Sequence, residues 1–428
     1  MEIRHFRHPA VLSAILPSPM PFDVAAVRRQ FPLLSSVIGG KSVAYLDSAA
    51  TSQKPVSVIE RMTAFYKTEN ANVNRGVHPL AEAATIAFDE ARQSVRRFIG
   101  AEKNHEIIFT RNTTESINLV ARSYGELLSP GDRIAVSLAE HHSNIVPWLQ
   151  LADRKGVAID WIGLDSDLRF DLASLEKILA EKKTKLVAVT GLSNVTGVAT
   201  PLEKIIAMAH AADALVLIDA AQLVAHQSVN VTELDADFLA FSGHKLYGPL
   251  GIGVLYGKEK LLNAMPAFLG GGDMIATVGA NGFTAAELPR KFEAGTPAIA
   301  EAVGLGEAIR WIETAGADAM HRWTRELATY ARNALAATEH VTVIGPPTGG
   351  DLLGCVSFTV DGIHPHDLTE ILGRQGICLR AGHHCAEPLH RHLGILASAR
   401  LSVAAYNTKD EIDRAVVAIP LARDLLKK

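Results

Sequence analysis

Two charged residues stand at the ends of apolar runs, where open α/β sheets build their ligand sites. Lys245 follows the run Phe238–Phe241 in a Ser-Gly-His-Lys turn, and Asp219 ends the run Ala214–Ile218. A lone lysine in a turn is by default a surface residue. A carboxylate at the end of a core strand, however, needs a cationic partner, because burying it alone is costly. A protonated pyridine nitrogen is such a partner, so the pair predicts a pyridoxal-phosphate enzyme in which Lys245 holds the cofactor.

A polar segment between a predicted strand and a helix offers a site for a phosphate group. The strand Ile107–Thr110 leads into this segment, where Asn112 and Glu115 have the spacing of a capping box. Backbone N–H groups and the hydroxyls of Thr113 and Thr114 gather at the helix N-terminus, and such a terminus binds anions. The alternative interpretation is a helix cap without a ligand. Nucleotide cofactors are disfavoured, since no Walker loop and no G-x-G-x-x-G motif follows a strand.

Two more side chains have the chemistry to move protons or sulfur. His141 follows the predicted strand Arg133–Ser137, so its ring could stack on a planar cofactor and exchange protons near neutral pH. The alternative is a hydrogen-bonded histidine of the core. Cys385 ends a Gly-His-His-Cys sequence in a loop marked by Gly382 and Pro388, and neighbouring histidines can lower the pKa of a thiol. We therefore expect Cys385 to be the reactive thiol.

The histidines around Cys385 also allow a second interpretation, a metal site. The candidate ligands would be His383, His384, Cys385, His390 and His392. Their spacing matches no standard zinc pattern, so we expect no metal. The other two cysteines, Cys355 and Cys378, lie in apolar strand-like runs and are expected to be inert packing residues.

The candidate residues need a sheet that brings strand ends together. Apolar runs alternate with helical periodicity from about residue 40 to 260, which is typical of a mostly parallel sheet covered on both faces. The predicted strands are Ile107–Thr110, Arg133–Ser137, Leu186–Thr190, Leu215–Asp219 and Phe238–Phe241. A helix predicted over Leu80–Ile99 carries one apolar stripe between Pro79 and Gly100. The predicted fold class is therefore α/β.

The pattern changes after a Gly-rich stretch over Leu269–Pro297. A long helical segment over Ala298–Ala337 precedes further strands, another helix and a final helix opened by a capping box of Thr408 and Glu411. We therefore expect three parts. They are an N-terminal segment (1–40) that packs on the small domain, a large cofactor-binding domain (41–299), and a small C-terminal α+β domain (300–428) that carries the cysteine loop.

Composition narrows the class of partners. The chain has 428 residues, with 42 Lys and Arg against 46 Asp and Glu, and a net charge of −4. This balance gives no electrostatic footprint for nucleic acid or an anionic membrane, and no stretch approaches the roughly 18 apolar residues of a membrane helix.

Three cysteines make no disulfide framework, so we expect the protein to be located in the reducing cytoplasm. Met1–Pro21 lacks the long apolar core of a secretory signal, and we interpret it as an irregular extension, with a transit-like role as the alternative.

The motifs, taken together, resemble one family. They are similar to the class V aminotransferase-like enzymes of pyridoxal-phosphate fold type I, and specifically to the group II, SUF-type cysteine desulfurases. The similarity runs from Phe31 to the C-terminus. Its motifs include Tyr45-Leu-Asp-Ser-Ala-Ala, Glu140-His-His, Ser242-Gly-His-Lys245, Phe292-Glu-Ala-Gly-Thr-Pro297 and Gly382-His-His-Cys385. The Gly-His-His-Cys loop is the group II feature, since group I carries a longer, Ser-rich cysteine loop.

The resemblance implies a role for each matching residue. Lys245 would link covalently to pyridoxal 5'-phosphate and later carry the Cα proton, and Cys385 would take the sulfur as a persulfide. The residues that would contact the cofactor ring are Asp219 at its nitrogen, Gln222 at its hydroxyl and His141 stacked on it. The residues that would hold the phosphate are Thr113, Thr114, Ser242, His244 and, from the other subunit of a homodimer, Thr296. The residues that would bind the substrate are Asn194, Arg380 and Arg400.

One residue departs from the family pattern, because Asn74 stands where a histidine precedes Arg75. This puts any active-site role of that position in doubt. The resemblance further implies conversion of L-cysteine to L-alanine, supply of sulfur for iron–sulfur cluster assembly, and a sulfur-acceptor protein of the SufE or SufU type. Two alternatives stay open. A selenocysteine lyase acting on L-selenocysteine would use the same cofactor chemistry, and a non-enzymatic metal-binding or sulfur-carrier protein would be colourless.

Overall fold

The largest element of the structure, a computed structural model that describes residues 22–426, is a seven-stranded sheet. Its strands are β1 (Ile107–Thr110), β2 (Arg133–Ser137), β3 (Ala158–Ile162), β4 (Thr184–Thr190), β5 (Leu215–Asp219), β6 (Phe238–Ser242) and β7 (Gly253–Gly257). Their spatial order is β1-β7-β6-β5-β4-β2-β3, and β7 runs antiparallel to both of its neighbours. The five predicted strands are confirmed. The prediction for Met1–Pro21 lies outside the described residues.

The strands are apolar along their whole length because helices cover both faces of the sheet. In β4, Val187 and Val189 belong to the core on one face, while Leu186 and Ala188 belong to the core on the other. The helices of this part of the chain are α1 (Val24–Arg28), α2 (Val56–Ala64), α3 (Pro79–Phe98), α4 (Thr113–Ser123), α5 (Val146–Lys155), α6 (Leu172–Ala180), α7 (Leu202–Ala211) and α8 (Glu259–Ala264). The α/β class and the helix expected over Leu80–Ile99 are thus confirmed.

The long helical segment expected over Ala298–Ala337 is two helices, α9 (Ile299–Ala315) and α10 (Ala317–Ala336). Gly316 separates them with a φ of 86°, a left-handed conformation that glycine adopts at little cost. Its N–H group donates to the carbonyls of Ile312 and Glu313, which ends α9. The prediction of one continuous segment missed this break.

A second, four-stranded antiparallel sheet follows α10. Its strands are β10 (Val341–Ile344), β11 (Cys355–Val360), β12 (Arg380–Gly382) and β13 (Ser398–Ser402). The strands β8 (Ile275–Gly279) and β9 (Gly282–Ala285), which precede α9 in the chain, form a separate hairpin. The spatial order of the four-stranded sheet is β10-β11-β13-β12. The helices that accompany it are α11 (Pro365–Arg374), α12 (Glu387–His392) and α13 (Lys409–Leu426). The capping box that opens α13 is confirmed, with Thr408 N donating to Glu411 at 3.0 Å and Glu411 N to the Thr408 hydroxyl at 3.4 Å.

The N-terminal segment lies against α9 and the chain that leads into α13. The ring of Phe31 is 4.7 Å from that of Tyr406 and 5.2 Å from that of Trp311. Arg28 forms a 2.9 Å ion pair with Glu411. The division of the chain at residues 40 and 300 stays a prediction. Within residues 22–426, every helix is too short or too polar to cross a membrane.

Candidate active site

A cavity of about 280 Å³ opens at the carboxyl ends of β4, β5 and β6. It gathers residues from distant parts of the chain because parallel strands end at the same edge of a sheet. The sequence-predicted residues that line it are Thr113, Thr114, His141, Asn194, Asp219, Gln222, Ser242, His244, Lys245, Arg380, Cys385 and Arg400. Thr296 does not line this cavity. It is exposed and borders a second cavity.

Asp219 is a buried carboxylate at the end of β5, with 4% of its surface exposed. It accepts the N–H group of Ala221 at 3.0 Å and forms no ion pair with any residue of the described chain. Burial raises the pKa of Asp219, while this backbone hydrogen bond and the nearby Lys245 lower it in part. The site therefore offers a carboxylate that a cationic group would stabilise.

Lys245 follows β6 in a short 3₁₀ turn and faces the same cavity. Burial lowers the pKa of its ammonium group, and Arg400 and Arg380 lower it further, whereas Asp219 and Cys385 act in the opposite direction. A lowered pKa gives the amine more of its neutral, nucleophilic form. Lys245 can therefore form a covalent link to a carbonyl group and move a proton.

The start of α4 and the end of β6 are joined at one corner of the cavity. The backbone N–H and the hydroxyl of Thr113 lie 2.8 and 2.6 Å from the hydroxyl oxygen of Ser242. Asn112 caps α4 by accepting the N–H of Glu115 at 2.9 Å. Glu115 accepts the N–H of Arg111 rather than that of Asn112, so the predicted capping box is half formed. Hydroxyls and a helix N-terminus thus meet where an anion would be stabilised.

Two histidines that line the cavity are neutral near pH 7. Burial, with Lys245 as the next cause, lowers the pKa of His141 to about 3 and that of His244 to about 4. Nδ1 of His141 accepts the N–H of Ser143 at 3.1 Å, so the proton of the neutral ring is on Nε2. His141 therefore presents an N–H group and a flat apolar ring rather than a charge.

Two arginines share one carboxylate, Asp47, which lies in the Tyr45-Leu-Asp motif and for which no role was predicted. Asp47 pairs with Arg380 at 3.1 Å and with the buried Arg400 at 3.4 Å. Arg400 also donates to the carbonyl of Asn194 at 3.0 Å. The amide nitrogen of Asn194 itself donates to the carbonyl of His384 at 2.7 Å, and that of Gln222 to the carbonyl of Ala49 at 2.7 Å. The contacts with Asp47 and Asn194 hold the guanidinium groups of Arg380 and Arg400 at the cavity, where they can bind a carboxylate.

Cys385 lines the cavity and is exposed, whereas Cys355 is buried and Cys378 is half-buried. Burial raises the pKa of Cys355 and of Cys378, which favours the unreactive thiol form. Cys355 also directs its sulfur towards the carbonyls of Ser193 and Val195, at 3.7 and 3.9 Å. Among the three cysteines, Cys385 is therefore the one placed to react with a ligand of the cavity.

Two histidines near Cys385 form hydrogen bonds with another side chain of the protein. His384 and His390 both lie 3.0 Å from the hydroxyl of Ser398, and burial lowers the pKa of His384 to about 2. Positive charge near the thiol thus comes from the side chain of Arg380 rather than from these rings. In residues 22–426, no group of three or more His, Cys, Asp or Glu side chains is arranged to hold a metal ion.

Comparison with known proteins assigns the chain to a family. The model of the family described as "Aminotransferase class-V" matches residues 44–415. The chain belongs to this family. It is similar to a probable cysteine desulfurase from a Synechocystis strain, with 46% identity over 92% of this chain and 94% of the relative.

Two solved structures resemble this chain along most of its length. A cysteine desulfurase from Escherichia coli is 41% identical, with a TM-score of 0.87, and covers 94% of this chain and 99% of its own. A C-DES variant with glycine covalently linked to the pyridoxal-phosphate cofactor is 25% identical, with a TM-score of 0.79, over 92% of this chain and 98% of its own. The fold is thus the pyridoxal-phosphate type I fold, with its mostly parallel large sheet.

The cofactor of this protein is pyridoxal phosphate, and the cavity fits it. Asp219 is a buried carboxylate that forms no ion pair within residues 22–426, and Lys245 is an amine with a lowered pKa in the same cavity. Nδ1 of His244 and Nε of Arg400 are buried without a hydrogen-bond partner in the described chain. A molecule with a protonated nitrogen, a carbonyl carbon and anionic oxygen atoms would engage all four groups.

The second cavity, of about 150 Å³, contains the position where this sequence departs from the family pattern. Asn74 has a φ of 71° and donates to Asp273 at 3.3 Å, while Arg75 pairs with Asp273 at 3.4 Å. Asparagine tolerates this left-handed conformation better than most residues. Thr296 borders the same cavity, so Asn74 lies near Thr296 and away from Lys245.

Proposed function

We propose that the chain is a group II cysteine desulfurase that converts L-cysteine to L-alanine and leaves the sulfur as a persulfide on Cys385. The observation that carries this proposal is that the exposed thiol of Cys385 lines the same cavity as Lys245 and Asp219. The relatives named as cysteine desulfurases support it, since they match more than nine-tenths of the chain.

The residues that would hold pyridoxal phosphate line the cavity, and the resemblance to the cysteine desulfurases implies their roles. Lys245 would hold it covalently, and Asp219 would pair with its ring nitrogen. His141 would stack on the ring and Gln222 would contact the ring hydroxyl. The phosphate would lie among Thr113, Thr114, Ser242 and His244. When bound, the cofactor supplies an electron sink for negative charge at the substrate Cα.

In this proposal, protein side chains bind the substrate, move its Cα proton and accept its sulfur. Arg400, with Arg380 and Asn194, would bind the substrate carboxylate, and Lys245 would move the Cα proton. The Cys385 thiolate attacks Sγ of L-cysteine, so an S–S bond forms as the Cβ–Sγ bond breaks. The electron pair of the broken bond stays with carbon, which takes up a proton to give L-alanine. No external oxidant is required.

The biological setting is also part of the proposal. The persulfide would pass to an acceptor protein of the SufE or SufU type for iron–sulfur cluster assembly. We propose a homodimer in which Thr296 serves the phosphate of the other subunit, and a cytoplasmic location, where the free thiols stay reduced.

The test combines spectroscopy with mass spectrometry of the purified protein. The protein should be yellow, its visible absorbance should change on addition of L-cysteine, and one sulfur atom should then be found on the peptide with Cys385. Cys385→Ser should keep the absorbance and its change but lose the persulfide, because a hydroxyl is almost wholly protonated near neutral pH. Cys378→Ser is the matched control and should behave like the unmodified protein. Sulfur on Cys355 or Cys378, with Cys385→Ser fully active, would overturn the proposal.

The same preparation distinguishes the two alternatives. A colourless protein would favour a metal-binding or sulfur-carrier role. Turnover of L-selenocysteine that far exceeds turnover of L-cysteine would favour a selenocysteine lyase.

A further inference from the structure

The loop that carries Cys385 has a backbone that local sequence does not favour. His384 and Cys385 have φ values of 52° and 57°, two consecutive non-glycine residues in the left-handed region. For a residue with a Cβ atom, the left-handed form is less stable than the right-handed form, because Cβ comes too close to the following carbonyl oxygen. This conformation persists only where surrounding contacts determine it. The contacts that hold the loop therefore decide where the thiol lies.

Three hydrogen bonds join this loop to the part of the chain that carries the large sheet. The carbonyl of His384 accepts the side chain of Asn194 at 2.7 Å. The carbonyl of Cys385 accepts the backbone N–H of His142 at 2.6 Å. Nε2 of His142 accepts the backbone N–H of Glu387 at 3.1 Å. His142 thus contacts the loop on the C-terminal side of the thiol through both its backbone and its ring.

The ring of His142 supplies a contact that the loop lacks. Glu387 is the first residue of α12, and the residue before it, Ala386, provides no side-chain cap. The first N–H groups of a helix have no partner within the helix, so an acceptor from elsewhere stabilises the helix start. His142 is that acceptor, although it lies 245 residues away in the chain.

We propose that His142 is a positioning residue that caps α12 and so fixes the Cys385 thiol over the cavity. It follows directly on His141, so one short segment orients both the ring at the cofactor site and the loop with the thiol. The ring centroids of the two histidines are 6.4 Å apart. The proposal deepens the proposed desulfurase function and, for its kinetic part, rests on it.

The test compares three variants of the holoenzyme. His142→Phe keeps a ring but removes the acceptor, and His142→Gln keeps an acceptor oxygen. His392→Phe makes the same change on an exposed position of α12 as the control. Hydrogen exchange of the peptide over residues 383–392 should be about fivefold or more faster in His142→Phe, as expected for a lost helix cap. Exchange in His142→Gln and His392→Phe should stay near that of the unmodified protein.

The kinetic part measures persulfide formation in a single turnover. In His142→Phe the rate should fall by about tenfold to a hundredfold, the effect of a misplaced reacting group. The cofactor absorbance and its change on adding L-cysteine should be preserved, because the cofactor contacts do not involve His142. Unchanged exchange and an unchanged rate in His142→Phe would overturn the proposal, as would equal losses in His142→Gln.

A second measurement needs no variant. A protonated His142 ring cannot accept from Glu387 N, so exchange of the 383–392 peptide, corrected for its intrinsic rate, should accelerate as pH falls. Burial lowers the pKa of His142, Glu387 raises it and His383 lowers it, so the ring is the acceptor at neutral pH. Exchange that does not respond to acid would contradict the cap. A failure of persulfide formation in the unmodified protein would instead refute the proposed function while the exchange results still stand.

Discussion

Thr190 and Asp219 pair in register as the last residues of the adjacent parallel strands β4 and β5. The N–H group of Thr190 donates to the buried carboxyl group of Glu140 at 2.8 Å. Two carboxyl groups with raised pKa values therefore lie near one strand end. Asp219 lines the cavity, whereas Glu140 is enclosed by protein, so the two should respond differently to substitution.

Replacing Asp219 by Asn should remove most of the turnover while some cofactor stays bound. The neutral amide no longer favours a protonated ring nitrogen, and loss of one preorganised electrostatic contact costs about 100-fold or more in kcat. Cofactor absorbance and turnover of L-cysteine measure the two effects. Asp237→Asn is the control, because it removes another buried carboxylate that contacts Val216 N at the other end of β5. Unchanged turnover of Asp219→Asn with bound cofactor would count against the assigned role.

Glu140 should make the free energy of unfolding depend on pH. Burial raises its pKa to about 8, despite hydrogen bonds from Ser137, Asn144 and Thr190. The folded protein therefore holds a proton that the unfolded chain releases above the ordinary glutamate pKa of 4.5. The stabilisation is present in full below that ordinary pKa and is lost as pH rises through about 8.

The check on Glu140 is urea unfolding between pH 5 and 8. Relative to Glu140→Gln, which has no proton to release, the unfolding free energy should fall with pH by up to about 1.4 kcal/mol per pH unit. A constant difference between the two proteins, or one that grows with pH, would contradict the raised pKa.

Lys245→Ala should abolish turnover and the lysine link that borohydride traps. The amine is needed both for the covalent link to the cofactor and for moving the Cα proton. Peptide mapping of the reduced, unmodified protein should find the cofactor on Lys245. Lys54 is an internal comparison, because burial also lowers its pKa, in this case to about 8, yet it does not line the cavity. Label on Lys54, or full turnover by Lys245→Ala, would refute the assignment.

Thr296 should act in the other subunit of a dimer. Because it lies outside the cavity of its own chain, Thr296→Val should weaken cofactor binding by about tenfold to a hundredfold, the value of one hydrogen bond to a charged group. Co-expression of Lys245→Ala with Thr296→Val should give heterodimers that contain one intact site and recover turnover. A fully active monomer in sedimentation would end this idea.

The core and most of the cavity could be predicted from the sequence because their signals are local. Apolar runs such as Leu215–Asp219 predict a buried strand, and the carboxyl ends of parallel strands lie at the same edge of a sheet. That Asp219, Lys245 and Thr113 line one cavity can therefore be predicted without knowing any long-range contact.

Asp47 was missed because its role depends on a contact between distant segments. The two-residue strand Ala44–Tyr45 pairs with Ile377–Cys378, which places Asp47 beside Arg380, 333 residues away. Strands this short have no periodicity to detect. The acceptor role of His142 was missed for a similar reason, since nothing near it in the sequence indicates α12. The break at Gly316 did have a local signal, a glycine inside a helical pattern.

The unequal exposure of the three cysteines also predicts which thiol is oxidised first when the purified protein is stored. Peroxide attacks accessible thiolates first and carries them through sulfenic to sulfinic and sulfonic acids, the last two of which thiols do not reverse. Because Cys355 is buried and Cys378 half-buried, this damage should concentrate on Cys385. An aged preparation would then keep its yellow colour and its fold while losing sulfur transfer, so colour alone is no measure of its capacity to deliver sulfur.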